Sequence, residues 1–66
     1  MNGFKKRLEK AMKEKKKVKI IFEYPNSTSA KIRRGFIKNI NEDSFEIEEV
    51  RDGLVTYSYK YIVEIR

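Results

Sequence analysis

The side chains best suited to chemistry in this chain are lysines, and they are concentrated at its beginning. Residues 1–19 contain nine basic and two acidic residues, whereas residues 20–66 contain seven basic and eight acidic ones. The basic residues of the first segment are Lys5, Lys6, Arg7, Lys10, Lys13, Lys15, Lys16, Lys17 and Lys19. Such a segment attracts polyanions such as nucleic acid, or an anionic lipid surface. A binding face is expected if it folds away from the later acidic residues.

The sequence contains few of the residue types that commonly act in catalysis. The chain has no histidine and no cysteine, which removes the commonest general base, the thiolate nucleophile and the usual zinc ligands. The acidic residues cluster at Glu42, Asp43, Glu46, Glu48 and Glu49, where carboxylates could bind magnesium or act as an acid and base pair. Glu46 and Glu48 alternate with apolar residues, however, as the solvated face of a strand does. We therefore predict a binding protein that is not an enzyme and needs no cofactor or metal.

Three tyrosines recur at every second position near the end of the chain, at Tyr57, Tyr59 and Tyr61. Exposed aromatic rings stack on unpaired bases while lysines attract the phosphates, so the combination points to RNA. Aromatic residues with a period of two also pack strands against a core. Both interpretations stay open for each of the three.

The apolar spacing predicts one helix followed by five strands. Four apolar residues at helical spacing predict an amphipathic helix over residues 3–15, capped by Asn2: Phe4, Leu8, Ala11 and Met12. Alternating apolar residues predict strands over about 17–24, 31–40, 44–51, 54–60 and 61–66. Turn-forming residues predict a loop at 25–30, and Asp52-Gly53 predicts a hairpin turn.

The same alternation assigns faces and a fold class. In the second strand Ile32, Phe36 and Ile40 are expected on one side, and Gly35 predicts a bulge or sharp bend. In the last strand Val63 and Ile65 are expected on one side. The pattern predicts a mainly β, single-domain fold over residues 1–66. It comprises an N-terminal α-helix and a five-stranded, strongly bent antiparallel barrel of the SH3-like or Sm-like kind.

The small size of the chain favours self-association. A 66-residue chain buries only about 60% of its unfolded surface, and this one has no cysteine for a disulfide. We therefore predict a homo-oligomer. No basic-then-apolar leader opens the sequence and no apolar run approaches the roughly 18 residues of a membrane span. We expect a cytoplasmic protein that does not attach to a membrane.

The order of these segments resembles the Sm-like family, and within it the Hfq group of RNA chaperones. The resemblance rests on a basic helix leading into residues 18–22, on residues 31–37 with Gly35, and on Tyr59-Lys60-Tyr61-Ile62. The last segment is similar to the Tyr-Lys-His motif of Hfq, with Tyr61 at the position of the histidine.

The resemblance implies a hexameric ring that binds single-stranded, U-rich RNA. It implies that Phe45 stacks on uracil and that Lys60 and Tyr61 contact base and phosphate. Ser44 stands where the family has glutamine before the stacking phenylalanine. Together with the lysines of the helix, the expected RNA-binding residues are Phe45, Lys60, Tyr61, Ser44, Lys5, Lys6, Lys10 and Lys13.

A second resemblance is to WYL domains, which are Sm-related modules in bacterial regulators. It rests on Leu8, Ala11, residues 18–20 and residues 57–62, although the Trp-Tyr-Leu signature is absent and the nearest stretch is Ser44-Phe45-Glu46. This resemblance implies a module that senses nucleic acid or nucleotides. A further alternative is a protein-interaction barrel whose lysines only keep it soluble.

Overall fold

The computed structural model describes residues 3–66, which form one helix and five strands. The helix α1 spans Gly3–Glu14, and the strands are β1 (Lys17–Phe22), β2 (Lys31–Ile40), β3 (Ser44–Glu49), β4 (Gly53–Ser58) and β5 (Ile62–Ile65). A 3₁₀ turn, Tyr59–Tyr61, joins β4 to β5. The mainly β fold with one N-terminal helix is confirmed. The capping role predicted for Asn2 lies outside the described residues.

The helix packs its apolar face against the sheet and ends in a defined cap. Leu8 and Ala11 are buried, and Phe4 and Met12 pack half-buried beside them, as the spacing predicted. At the C terminus Lys15 takes a left-handed conformation with a φ of 54°. The Lys15 N–H donates to the Met12 carbonyl and the Lys16 N–H to the Ala11 carbonyl, which is the hydrogen-bond pattern of a Schellman motif. This cap turns the chain directly into β1.

The five strands form one antiparallel sheet in the order β4-β3-β2-β1-β5. Strands β4 and β5 are its two edges, and backbone pairing does not join them. The closed barrel predicted from the sequence is therefore corrected to an open sheet. The 3₁₀ turn still holds the two edge strands close together along the chain, because only Tyr59–Tyr61 separates them.

The core lies on one face of the sheet, beneath the helix. Its fully buried residues of large volume are Phe22, Phe45, Leu8, Ile20 and Ile47. The rings of Phe22 and Phe45 are nearly parallel with centroids 6.5 Å apart, and Tyr59 stacks on Phe45 at 5.3 Å. These aromatic contacts tie β1, β3 and the 3₁₀ turn together.

In strand β2 the three residues predicted to share a side do not all share it, because Ile40 lies on the face opposite to Ile32 and Phe36. Gly35 and Ile37 are buried, whereas Ile32 and Phe36 are 46% and 39% exposed. The pairing with β3 shifts register between Ile37 and Asn39, so the alternation changes by one residue and Ile40 packs against the core. Beyond such a bulge, the residues that alternate with the core-facing ones before it point to the core instead.

Gly35 allows β2 and β3 to approach closely. A Cβ atom at this position would lie 2.1 Å from the Glu48 carbonyl oxygen. This distance is too short for any side chain to be accommodated. The predicted irregularity in β2 therefore exists, but the register shift lies beyond Gly35, and the glycine itself is required by the neighbouring backbone.

Strand β5 also departs from simple alternation. Ile21 pairs with Glu64 and Phe22 with Ile62, so Val63 has no partner in the ladder. Ile62 and Ile65 are buried and Val63 is 47% exposed, which corrects the prediction that Val63 and Ile65 share a face.

Candidate nucleic-acid interface

The 3₁₀ turn presents Lys60 and Tyr61 in a fixed conformation. The Ser58 hydroxyl accepts a hydrogen bond from the Lys60 N–H, and the Ile62 N–H closes the turn on the Tyr59 carbonyl. The Glu23 N–H donates to the Tyr61 carbonyl at 3.0 Å and so anchors the turn to the end of β1. The turn is held at both ends, which leaves the Lys60 side chain exposed beside a half-buried Tyr61.

Tyr24, Lys60 and Tyr61 form a tyrosine–lysine cluster at the surface. The Tyr24 and Tyr61 rings lie 5.0 Å apart between centroids and are tilted by 46°. The Lys60 Nζ lies 5.6 Å from the centre of the Tyr61 ring, within the range of a cation–π contact. Aromatic planes beside a cation are suited to an unpaired base and its phosphate. Tyr24 was not predicted as a site residue, because its only signal in the sequence is an aromatic residue directly before Pro25.

Phe45 does not contribute an exposed plane to this cluster. Its side chain has no exposed area, and its ring is covered by Phe22, Tyr57 and Tyr59. The start of β3 meets the 3₁₀ turn between β4 and β5 through the stack of Phe45 on Tyr59. Because a base could reach Phe45 only by displacing core side chains, we assign Phe45 to the core and remove it from the candidate interface.

Ser44 and Tyr59 hold the β2–β3 turn beside the 3₁₀ turn. The Asn41 N–H donates to the Ser44 carbonyl at 2.8 Å, and the Asn41 amide donates to the Ser44 hydroxyl at 3.4 Å. The Tyr59 hydroxyl donates to the Asn41 carbonyl at 2.7 Å, and burial raises the pKa of Tyr59. Ser44 pairs with Ser58, next to the 3₁₀ turn, and is half-buried. In this structure Ser44 closes a turn.

The helix lysines form a second basic surface. Lys6, Lys10 and Lys13 are exposed on α1 and Lys5 is half-buried, and none of the four has an ion-pair partner within residues 3–66. The Arg7 guanidinium donates to the Ile65 carbonyl at 2.8 Å and thereby fixes the helix on β5. No described hydrogen bond, ion pair or ring contact joins these lysines to Lys60 or Tyr61, so the structure brings together only part of the predicted set.

A partly buried polar network, which was not predicted from the sequence, lies on the core face. The Tyr57 hydroxyl donates to a Glu49 carboxylate oxygen at 2.6 Å, and the Arg33 Nε donates to the Tyr57 oxygen at 2.9 Å. Arg33 also lies 3.8 Å from the Glu49 carboxylate. Burial, and then the bond to Glu49, raise the pKa of Tyr57 to about 12. Glu49 is thus a buried, paired carboxylate, whereas the neighbouring Glu48 is exposed.

Two further features are absent from the structure of residues 3–66. No group of three carboxylate side chains in this part of the chain is arranged to hold a metal ion. No described helix has the length and apolar composition required to cross a membrane.

Comparisons with protein-family models, with curated protein sequences and with solved structures found no match to this chain.

Proposed function

We propose that this protein binds single-stranded RNA, with the tyrosine–lysine cluster contacting an unpaired base and its phosphate. The observation that carries this proposal is the Tyr24–Tyr61 ring pair with the Lys60 ammonium 5.6 Å from Tyr61. Stacking of a base on such a plane contributes about 1–3 kcal/mol, and the neighbouring cation attracts the phosphate. Binding of this kind requires no catalytic group, in line with the prediction that the chain is not an enzyme.

The helix lysines extend the proposed interface by electrostatic attraction. Lys6, Lys10 and Lys13 are exposed and have no ion-pair partner among the described residues, so they add a sequence-independent attraction to the phosphate backbone. A preference for U-rich RNA remains part of the proposal, and it rests on the resemblance of Tyr59-Lys60-Tyr61 to the Hfq motif. Phe45 has no part in it.

We also propose that copies of the chain assemble into an Sm-like ring, a homohexamer by the same resemblance, in the cytoplasm. Strands β4 and β5 are the unpaired edges of the sheet, and they carry the exposed apolar residues Leu54 and Val63. Open strand edges with apolar side chains favour pairing with another chain. Pairing β4 of one copy with β5 of the next would satisfy both edges and repeat the lysines around one ring.

A second candidate function is a regulatory or protein-interaction module of the WYL-like kind. The observation in its favour is that Ile32, Phe36 and Val50 are exposed outside the core. Exposed apolar side chains of this size are typical of protein contacts when they form a patch. This candidate does not require that the lysines bind a nucleic acid.

The test is the fluorescence anisotropy of a labelled oligouridine titrated with the protein. Tyr61→Leu is expected to lower the affinity about five- to a hundredfold, because it removes the aromatic plane. Tyr61→Phe keeps the plane and is expected to bind within about threefold of the parent. Lys60→Gln is expected to lower the affinity and to reduce the slope of log affinity against log salt by about one.

Lys31→Gln is the matched control, since Lys31 is an exposed lysine at the start of β2, outside the cluster. It is expected to leave the oligouridine affinity near the parent value apart from a small general effect of charge. A folded Tyr61→Leu protein with parental affinity would contradict the proposed contact. A parent protein that binds no oligonucleotide at low salt would favour the interaction module.

A further inference from the structure

A cleft of about 680 Å³ lies between the first half of β2 and the turn that joins β3 to β4. It exists because β2 pairs with β3 only from Gly35 onward, where Gly35 faces Glu49. Residues 31–34 of β2 pair with β1 alone, while the chain turns away after Glu49. The volume lies within the range of about 300–1,000 Å³ that small-molecule sites occupy.

Basic side chains dominate the lining of this cleft. Four cations contribute to it, against the two carboxylates of Glu49 and Asp52, and these cations are Lys17, Arg33, Arg34 and Arg51. Arg33 is held by Tyr57 and Glu49, so its charge and that of Glu49 already compensate each other. The described residues give Lys17, Arg34 and Arg51 no hydrogen-bonded or ion-paired side-chain partner. The cleft therefore has an uncompensated positive charge.

Apolar groups also border the cleft. Ile32 lies on β2 and Val50 on the turn, and they are 46% and 71% exposed. An inorganic anion would leave both in water. A ligand with an apolar or planar body would cover them, and burying apolar area stabilises the complex by roughly 25 cal/mol per Å².

We propose that this cleft binds a small phosphomonoester, with its phosphate on Arg34, Arg51 and Lys17 and its organic body against Ile32 and Val50. Guanidinium groups suit this ligand because their paired N–H donors match two phosphate oxygens. Arg33 lines the same cleft, where the bond to Tyr57 fixes its orientation. The site goes beyond the proposed RNA contact, because it shares no residue with the tyrosine–lysine cluster.

Phenyl phosphate is the probe. Inorganic phosphate is the control that lacks the phenyl ring, and phenol is the control that lacks the phosphate. Binding is followed by amide NMR shifts and by isothermal titration calorimetry at matched ionic strength. Phenyl phosphate is expected to shift the amides of Arg34, Val50 and Arg51 and to bind about tenfold more tightly than inorganic phosphate. Phenol is expected to give no saturable shifts.

Charge-removing variants assign the binding to the cleft. Arg34→Gln and Arg51→Gln are each expected to lower the phenyl phosphate affinity about ten- to a hundredfold, as loss of a charge-assisted hydrogen bond would. Lys38→Gln is the matched control, because Lys38 is an exposed cation of the same strand that pairs with Glu48 outside the cleft. It is expected to bind phenyl phosphate like the parent.

Three results would overturn the proposal: no shifts at the cleft amides, parental affinity in the Arg34→Gln/Arg51→Gln double variant, or equal affinity for inorganic and phenyl phosphate. Tyr61→Leu separates this proposal from the RNA proposal, because it is expected to lose oligouridine and to keep phenyl phosphate. Loss of phenyl phosphate binding in a folded Tyr61→Leu protein would also contradict a separate site.

Discussion

Phe45 stands at the centre of an aromatic stack, where its ring contacts those of Phe22, Tyr57 and Tyr59. Phe45→Ala would leave a cavity that these rigid rings cannot fill. We expect it to lower the free energy of unfolding by about 3–5 kcal/mol, measured by urea denaturation. Phe36→Ala, which truncates a 39% exposed phenylalanine, is expected to cost less than about 1 kcal/mol. Equal losses for the two variants would contradict the core assignment of Phe45.

Tyr57 connects three strands through its hydroxyl group, because it bonds to Glu49 on β3 and to Arg33 on β2. Tyr57→Phe removes the donor that satisfies the buried Glu49 carboxylate. We expect a loss of about 1–3 kcal/mol in the free energy of unfolding. Tyr24→Phe is the matched control, since no described hydrogen bond uses the Tyr24 hydroxyl, and it is expected to change stability by less than about 0.5 kcal/mol. A similar loss in both variants would argue against the network.

The pKa of Tyr57 predicts how the free energy of unfolding changes at alkaline pH. The pKa of Tyr57 is raised to about 12 in the folded protein, above the ordinary tyrosine value of 10. The unfolded chain therefore loses this proton first, so the stabilisation is complete below pH 10 and is lost as the pH rises toward 12. Because the pKa of Tyr59 is raised as well, absorbance titration at 295 nm is expected to show late-ionising tyrosines, of which Tyr57→Phe removes one. A parent protein whose tyrosines all ionise near pH 10 would contradict this.

Gly35 sets the spacing of two elements, since the Glu48 carbonyl of β3 occupies the position that a Cβ atom would need. Gly35→Ala must push β2 and β3 apart and weaken their ladder. We expect the free energy of unfolding to fall by about 1–3 kcal/mol, measured by thermal and urea unfolding. Gly3→Ala is the control, because among the described residues no atom of another element would lie within 4 Å of an added Cβ there and alanine favours a helix. A Gly35→Ala protein as stable as Gly3→Ala would refute the close approach.

Periodicity predicted which elements exist, and it failed where a strand carries an extra residue. The helix face of Leu8 and Ala11 follows from a 3.6-residue period that nothing interrupts. A bulge shifts a two-residue period by one, and its position depends on the partner strand rather than on local sequence. Ile40 and Val63 depart from their predicted sides for this reason, whereas Ile32 and Phe36, which precede the bulge of β2, share a face as predicted.

The candidate sites were predictable only where neighbours in sequence are neighbours in space. Lys60 and Tyr61 are adjacent, and the motif that contains them was visible at once. Tyr24 joins them only because the end of β1 is hydrogen-bonded to the 3₁₀ turn. The pairing of Arg33 with Glu49 likewise depends on how β2 and β3 align, which the sequence alone does not reveal.

On the scale of the whole molecule, the open edges of the sheet predict assembly. Leu54 on β4 and Val63 on β5 are exposed, and within residues 3–66 neither strand has a partner on its outer side. We expect light scattering of the parent to report an oligomer. Leu54→Lys combined with Val63→Lys is expected to yield a folded monomer near 7.9 kDa, because lysines on strand edges oppose pairing.

The matched control is Val50→Lys, which places the same charge on a turn residue that is 71% exposed and belongs to neither edge. It is expected to keep the parental mass. A parent that is monomeric at micromolar concentration would contradict the ring while leaving the RNA contact to its own test.

At Lys15, where the helix leads into the sheet, a positively charged side chain occupies a left-handed backbone position that glycine would stabilise more. A lysine with a φ of 54° is disfavoured relative to glycine by about 1 kcal/mol, in a chain whose total stability is about 3–10 kcal/mol for its 66 residues. The sequence keeps a cation where glycine would be more stable. Lys15→Gly is therefore expected to raise the free energy of unfolding. The core and strand variants described above can be compared in this more stable background, where they remain folded.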